Sequence, residues 1–379
     1  MKVNQWKYHL VQGWTQVGSF QIEKKAQLVF VFGSTSLLKT VPFLEKIKFL
    51  YPHSQIVGCS TAGEICGVEV LDDFIVVTAI YFQATPIHSA MVTINHPSES
   101  FSAARDLALH LKPENLSHVF VLSDGLNVNG SELVKGLVQN LPSNIKITGG
   151  LAGDGSRFKE TLVFCNSAPQ AHRIVIVGFY GEKIKMGCAS MGGWDPFGPE
   201  RLVTRSQGNI LYELDGKPAL ALYKKYLGVE AANLPSSGLL FPLCVHNGEK
   251  STAVVRTILA VDEISNSMTF AGDIPEGSYA FLMKANFDRL IDGSSIAAKN
   301  IFQEIHQQAP DLALLISCVG RKLILNQRVE EEVEVVREIF GETTPLAGFY
   351  SYGEISPFAL HAKCELHNQT MTITSFLEK

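Results

Sequence analysis

The segment G-x-x-x-x-G-E-I occurs twice in this chain, as Gly58–Ile65 (GCSTAGEI) and as Gly348–Ile355 (GFYSYGEI). Each copy follows an apolar run that reads as a buried strand. A chain that repeats such a segment near both ends is constrained to place two like edges in like surroundings. The tripeptide Ala-Gly-Asp is also shared, at Ala152–Asp154 and Ala271–Asp273. Both repeats suggest an internal duplication or a pseudo-symmetry.

The periodicities define the fold class. Residues 26–34 (AQLVFVFGS), 54–60 (SQIVGCS), 118–125 (HVFVLSDG) and 312–321 (LALLISCVGR) are short apolar runs closed by turn residues, as buried strands are. Phe43, Leu44, Ile47 and Leu50 recur at helical spacing, as do Phe101, Ala104, Leu107, Ala108 and Leu111. Val329, Val333, Val336 and Phe340 form a further helical stripe. Residues 131–141 (SELVKGLVQNL) read as a helix with Ser131 as its N-cap. Residues 74–82 and 87–94 read as antiparallel partners joined by a turn at QATP. Strict βαβ alternation is absent, which disfavours a simple doubly wound sheet. The expectation is a mixed α/β chain of two related α/β domains, their mixed sheets covered by helices. The first domain spans 1–195 and the second 216–379. A Gly/Pro-rich junction, 196–215, lies between them, and the candidate hinge is near Gly192, Gly193 and Gly198 around its start.

Composition narrows the function. Apolar residues make up 46% and charged residues 18%, enough for large cores and too little charge for disorder. The net charge of −5 comes without a long Lys/Arg run, which disfavours a nucleic-acid or anionic-membrane surface. The N-terminus lacks a secretory h-region, and no apolar run is long enough to span a bilayer. A cytoplasmic location is the expectation. Seven cysteines without a C-x-x-C pair argue against a disulfide framework or a zinc-thiolate site.

The motifs carry little catalytic signal. GGLAGDG (Gly149–Gly155) lacks G-K-[ST] and runs into a strand, so it reads as a tight connection and not a phosphate loop. Cys59 and Cys318 follow apolar runs, where nucleophiles often sit, but no base or orienting group is evident. A thiol-dependent hydrolase or transferase is therefore an alternative, and a non-enzyme the expectation. Two readings of Glu64 and Glu354 stay open. Each closes its own turn, or both line one cavity with Tyr350 and Tyr352 at the junction of the halves. The candidate ligand set on the second reading is Cys59, Ser60, Thr61, Glu64, Asp154, Arg256, Tyr350, Tyr352 and Glu354. That reading expects Glu354→Ala to weaken ligand binding more than stability. The histidines show no metal spacing, although a single axial haem ligand leaves no such signature.

Eight stretches, in order, resemble the FIST family of paired N and C domains. They are VGCSTAGEI, SDGLNVNGSELVKGL, ITGGLAGDGSRFKETLVF, NGEKSTAVVRTI, TFAGDIPEG, SCVGRKLIL, TPLAGFYSYGEISP and LHNQTMTITSF, which together span residues 57–376. The resemblance implies a FIST N domain, a FIST C domain and a sensory role with a small ligand, for which amino acids have been suggested. It implies output through a separate partner, a sensor histidine kinase above all, since no output signature follows FIST C; a homodimer is compatible with such a partner. Among members of this length the resemblance implies haem b, nitric-oxide sensing and control of cyclic-di-GMP signalling. His246 and His367, beside motif-like stretches, are the candidate axial ligands. A haem-free sensor of a small metabolite is the alternative.

Overall fold

Fully apolar six- to eight-residue runs need cover on both faces, and this chain supplies it by wrapping three sheets around one core. The computed structural model describes residues 1–18, 22, 24–248, 253–357 and 363–379. The first repeat contains β1 (Lys2–His9), β2 (Gly13–Val17), β3 (Leu28–Gly33), β4 (Gln55–Ser60), β5 (Glu64–Cys66), β6 (Glu69–Leu71) and β7 (Phe74–Tyr81). The second contains β8 (Ile87–Thr93), β9 (Leu116–Ser123), β10 (Lys146–Leu151), β11 (Val163–Cys165) and β12 (Arg173–Tyr180). The third starts with β13 (Ile184–Met191). It resumes with β22 (Leu312–Cys318), β23 (Leu346–Ser351), β24 (Gly353–Pro357), β25 (Cys364–His367) and β26 (Met371–Glu378).

The three repeats have one topology. Each holds a central parallel pair, β3∥β4, β9∥β10 and β22∥β23. An antiparallel strand flanks the first member of each pair: β7, β12 and β26. The strand that follows each parallel pair leaves its own sheet and joins the next one. Thus β5 pairs with β23, β24 pairs with β10, and β11 pairs with β4. This cyclic exchange gives three six-stranded sheets among the described residues, related by a pseudo-threefold axis. The mixed α/β class expected from periodicity is what forms, and the repeat has one more copy than the paired motif suggests.

The sheets bury their inner faces together. Phe30 meets Phe120 at 5.1 Å, Phe32 meets Phe349 at 4.7 Å and Phe179 meets Phe376 at 5.4 Å between ring centroids. Helices cover the outer faces: α1 (Thr35–Thr40), α2 (Phe43–Leu50), α3 (Ser100–His110), α4 (Gly130–Asn140), α6 (Phe287–Glu304), α7 (Val319–Leu325) and α8 (Glu331–Phe340). Between β13 and α6 the chain inserts another sheet, formed by β14 (Trp194–Gln207), β15 (Ile210–Leu214), β16 (Lys217–Pro218), β17 (Leu243–His246), β18 (Val254–Arg256), β19 (Ile258–Asp262), β20 (Ser267–Phe270) and β21 (Tyr279–Ala285). Helix α5 (Ala219–Leu227) packs on that sheet.

Local expectations fail where a turn signal does not name a partner. β7 and β8 do not pair; β7 lies between β3 and β1, and β8 pairs with β12. The QATP turn carries the chain from one sheet to the next. The Gly/Pro-rich stretch after Gly193 is largely strand β14, kinked by a register shift between Phe197 and Arg201. Helix α4 is capped by Asn129, whose side chain accepts from Glu132 N at 3.1 Å; Ser131 lies inside the first turn. No helix among the described residues is long and apolar enough to cross a membrane.

Candidate functional site

At the axis, the ends of β4, β10 and β23 bond to one another in a ring. Ala62 N donates to Tyr350 O (2.8 Å), Tyr352 N to Leu151 O (3.2 Å), and Gly153 N to Ser60 O (3.0 Å). Counting from Gly58, Gly149 and Gly348, acceptors and donors fall at equivalent positions in all three repeats. The G-x-x-x-x-G-E-I segments are two of these crossings. GGLAGDG is the third, one residue shorter, with Asp154 in place of the glutamate.

This junction gathers Cys59, Ser60, Thr61, Glu64, Asp154, Tyr350, Tyr352 and Glu354, all buried. The carboxylates among them are spent on local closure. Glu64 accepts from the Thr61 hydroxyl and from Phe74 N. Glu354 accepts from the Ser351 hydroxyl, from Thr370 N at 3.1 Å and from the Thr370 hydroxyl at 3.0 Å. Asp154 accepts from the amides of Phe158, Lys159 and Glu160 and from the Tyr352 hydroxyl. The three acids therefore close the crossovers that exchange strands between sheets.

Burial pushes the Glu64 and Glu354 carboxyls up from 4.5 to about 8, against hydrogen bonds that pull them down. The folded chain therefore holds more protons than the unfolded chain between those two pH values. The associated stability is complete below about pH 4.5 and is lost as pH rises through 8. Denaturant melts at pH 5.5 and 8.5 are expected to differ by on the order of 3 kcal/mol for each carboxyl. Glu64→Gln with Glu354→Gln should flatten that dependence. Burial likewise raises the thiols of Cys59 and Cys318, the reverse of what an attacking thiolate needs.

A cleft of about 410 Å³ opens elsewhere, where α4 and β25 face β17 and β18 of the inserted sheet. Ser131, Val134, Lys135 and Val138 line it from α4. His246, Arg256 and Asp273 line it from the inserted sheet, and Lys363, Glu365 and Leu366 from β25 and its approach. The structure thus separates Arg256 and His246 from the rest of the candidate set. Gly272, in the second Ala-Gly-Asp, permits the packing: a Cβ there would stand 2.9 Å from Arg256 Nε.

The two histidines differ in setting. His246 Nε2 lies 2.9 Å from Glu200 Oε1, and its buried Nδ1 has no partner among the described residues. His367 sits on β25 opposite Glu354, with Nε2 2.9 Å from Ser356 O, and burial lowers its pKa to about 4. No cluster of three or more His, Cys, Asp or Glu among the described residues could hold a metal ion.

Sequence reasoning missed one site altogether. Arg321 and Glu332 form a wholly buried ion pair, with Arg321 Nη2 2.7 Å from Glu332 Oε2. Glu332 Oε1 also accepts from Ser317 (2.9 Å) and Tyr350 (2.7 Å). Arg321 donates further to Leu290 O, Ser294 and Gly192 O. The available signal was a glutamate beside Val333 and Val336, on the buried face of its helix.

Comparison with known families gives the assignment. A FIST N domain matches residues 27–217 and a FIST C domain matches residues 219–357. The chain belongs to the FIST family. It is therefore a member of a family of sensory, signal-transduction domains. An uncharacterized protein of Methanocaldococcus jannaschii is 24% identical over 374 residues, covering 90% of this chain and 69% of the relative. An uncharacterized protein of Mycobacterium tuberculosis strain H37Rv is 22% identical over 377 residues, covering 93% and 91%. Among solved structures, a chorismatase aligns over 99% of this chain and 98% of its own at 8% identity, with a TM-score of 0.33. A cyanuric acid hydrolase from A. caulinodans aligns over 100% and 99% at 6% identity, with a TM-score of 0.37. Both likenesses are too weak to carry an argument.

Proposed function

We propose that this FIST module is a non-catalytic cytoplasmic sensor that binds a small metabolite in the cleft and passes the bound state to a partner protein. One observation carries the reading: the cleft joins α4, within the FIST N match, to β18, within the FIST C match, and is lined by both charged and apolar side chains. A ligand that touches both sides favours one arrangement of the inserted sheet against α4 by its differential affinity, as a sensor requires. The family resemblance offers a histidine kinase, acting on cyclic-di-GMP signalling, as the partner class. Melting the full chain against a metabolite panel tests the binding step. A ligand at a hundred times its Kd is expected to add about 2.7 kcal/mol of stability. Turnover on a substrate panel that Cys59→Ser or Cys318→Ser abolishes would instead make that cysteine a nucleophile.

A second reading, haem with nitric-oxide sensing, rests on His246, which lines the cleft with an unpartnered Nδ1. The residues fit haem less well than a metabolite. The Nε2 of His246 meets a carboxylate and that of His367 a carbonyl, so neither offers that nitrogen to an iron. A visible spectrum of chain expressed with added haem separates the two. A stoichiometric Soret band that shifts with nitric oxide and disappears in His246→Ala would establish the haem reading.

A further inference from the structure

A buried guanidinium in a folded protein is ordinarily matched by an acid. Arg321 has Glu332. Arg256, only 7% exposed, has no such partner among the described residues. Its Nε donates to Asp273 O (3.1 Å), and its Nη1 to Leu366 O (2.9 Å) and Val255 O (3.4 Å). All three acceptors are backbone carbonyls, and Nη2 has no hydrogen bond among the described residues. The Asp273 and Glu365 carboxylates line the same cleft and act on Arg256 only through space. Asp273 instead accepts weakly from Asn129, at 3.4 Å. The guanidinium is held from both sides, by the carbonyls of Leu366 and Asp273 and by the close backbone of Gly272. It is pre-positioned and makes no ion pair among the described residues.

We propose that the cleft is an oxyanion site, in which Arg256 receives a carboxylate or phosphate group of the ligand. The proposal rests on the cleft being the ligand site. The planar fork of arginine suits both groups, which accept paired N–H bonds. Lys363, at the rim, adds a second cation. Lys135 bonds Glu132 at 3.1 Å, so its charge is already partly matched. Because Nη1 reaches Leu366 on β25, an anion on Arg256 would also tighten the hold of β18 on β25. Bound and empty states would then differ in how the inserted sheet sits on the three-sheet body.

Calorimetric titration of the full chain with succinate, inorganic phosphate and uncharged succinamide, at constant ionic strength, tests this. The expected result is that at least one anion binds, with succinamide at least about tenfold weaker. Arg256→Gln should weaken the anion by a further factor of about ten or more, and Arg256→Lys by less. Succinate without phosphate assigns the site to carboxylates, and the reverse assigns it to phosphates. Val138→Trp, which fills the cleft from α4, is the control for location. If Val138→Trp abolishes binding but succinamide equals succinate, or Arg256→Gln binds as wild type, the oxyanion inference falls and the cleft stands. If anion binding survives Val138→Trp, the cleft reading itself falls. Failure of both anions to bind the wild type also overturns the inference. Melting curves confirm that each variant is folded.

Discussion

Alanine at Gly58, Gly149 or Gly348 is expected to prevent the chain from folding normally, and to do so alike at all three positions. In the parallel ladders these glycines face Val31, Val121 and Leu315. An added Cβ would lie 2.1 Å from Val31 O, 2.0 Å from Val121 O and 1.8 Å from Leu315 O. The obstructing atom is backbone in every case, so no side chain can move aside. The strand would have to leave its ladder, at a cost above about 3 kcal/mol per site. Soluble yield and urea midpoints of the three variants provide the measurement. A mild loss at one position and a severe loss at the others would break the equivalence of the three repeats. As a contrast, Gly67→Ala meets no atom within 4 Å and suffers only the strain of its φ of +64°.

The second large effect is expected from the buried pair. Glu332→Gln leaves the Arg321 charge without its counter-ion in a fully buried site, and Arg321→Met does the same to Glu332. Each single change should cost about 3–5 kcal/mol. The double variant Arg321→Met, Glu332→Gln should cost less than the sum of the two single changes, because it leaves neither charge without its counter-ion. The pair ties α6, α7 and α8 to β22 and β23, so the single changes should also raise amide exchange in β23, beside the junction. Additive single effects in denaturant melts would show that the two residues do not act as a pair.

Much of this architecture is written in local periodicity, and its central feature is not. The runs that became β3, β4, β9 and β22 were legible because a strand buried on both faces has to be apolar throughout. The stripe Val333, Val336, Phe340 likewise gave α8. The exchange of β5, β11 and β24 between sheets was not legible, since a three-residue strand such as Glu64–Cys66 has no periodicity to read. The paired G-x-x-x-x-G-E-I segments marked two crossings of the axis. The third was hidden by a one-residue deletion and an Asp for Glu exchange at Asp154. The eight junction residues lie together where the three sheets cross, buried and without a share in the cleft. Arg256 and His246 went elsewhere because the inserted sheet carries them to α4, a placement no local pattern encodes.

The proposed roles are separable: the cleft holds the ligand, and the junction acids close strand crossovers. Calorimetric affinity for the best ligand of the metabolite panel, in Val138→Trp and in Glu354→Gln, tests this most directly. Val138→Trp is expected to stay folded and to lose more than about tenfold in affinity. Glu354→Gln is expected to keep its affinity and to change only the pH dependence of stability. Glu354→Gln losing the ligand while Val138→Trp binds as wild type would contradict this separation, and would return the site to the junction of the three sheets.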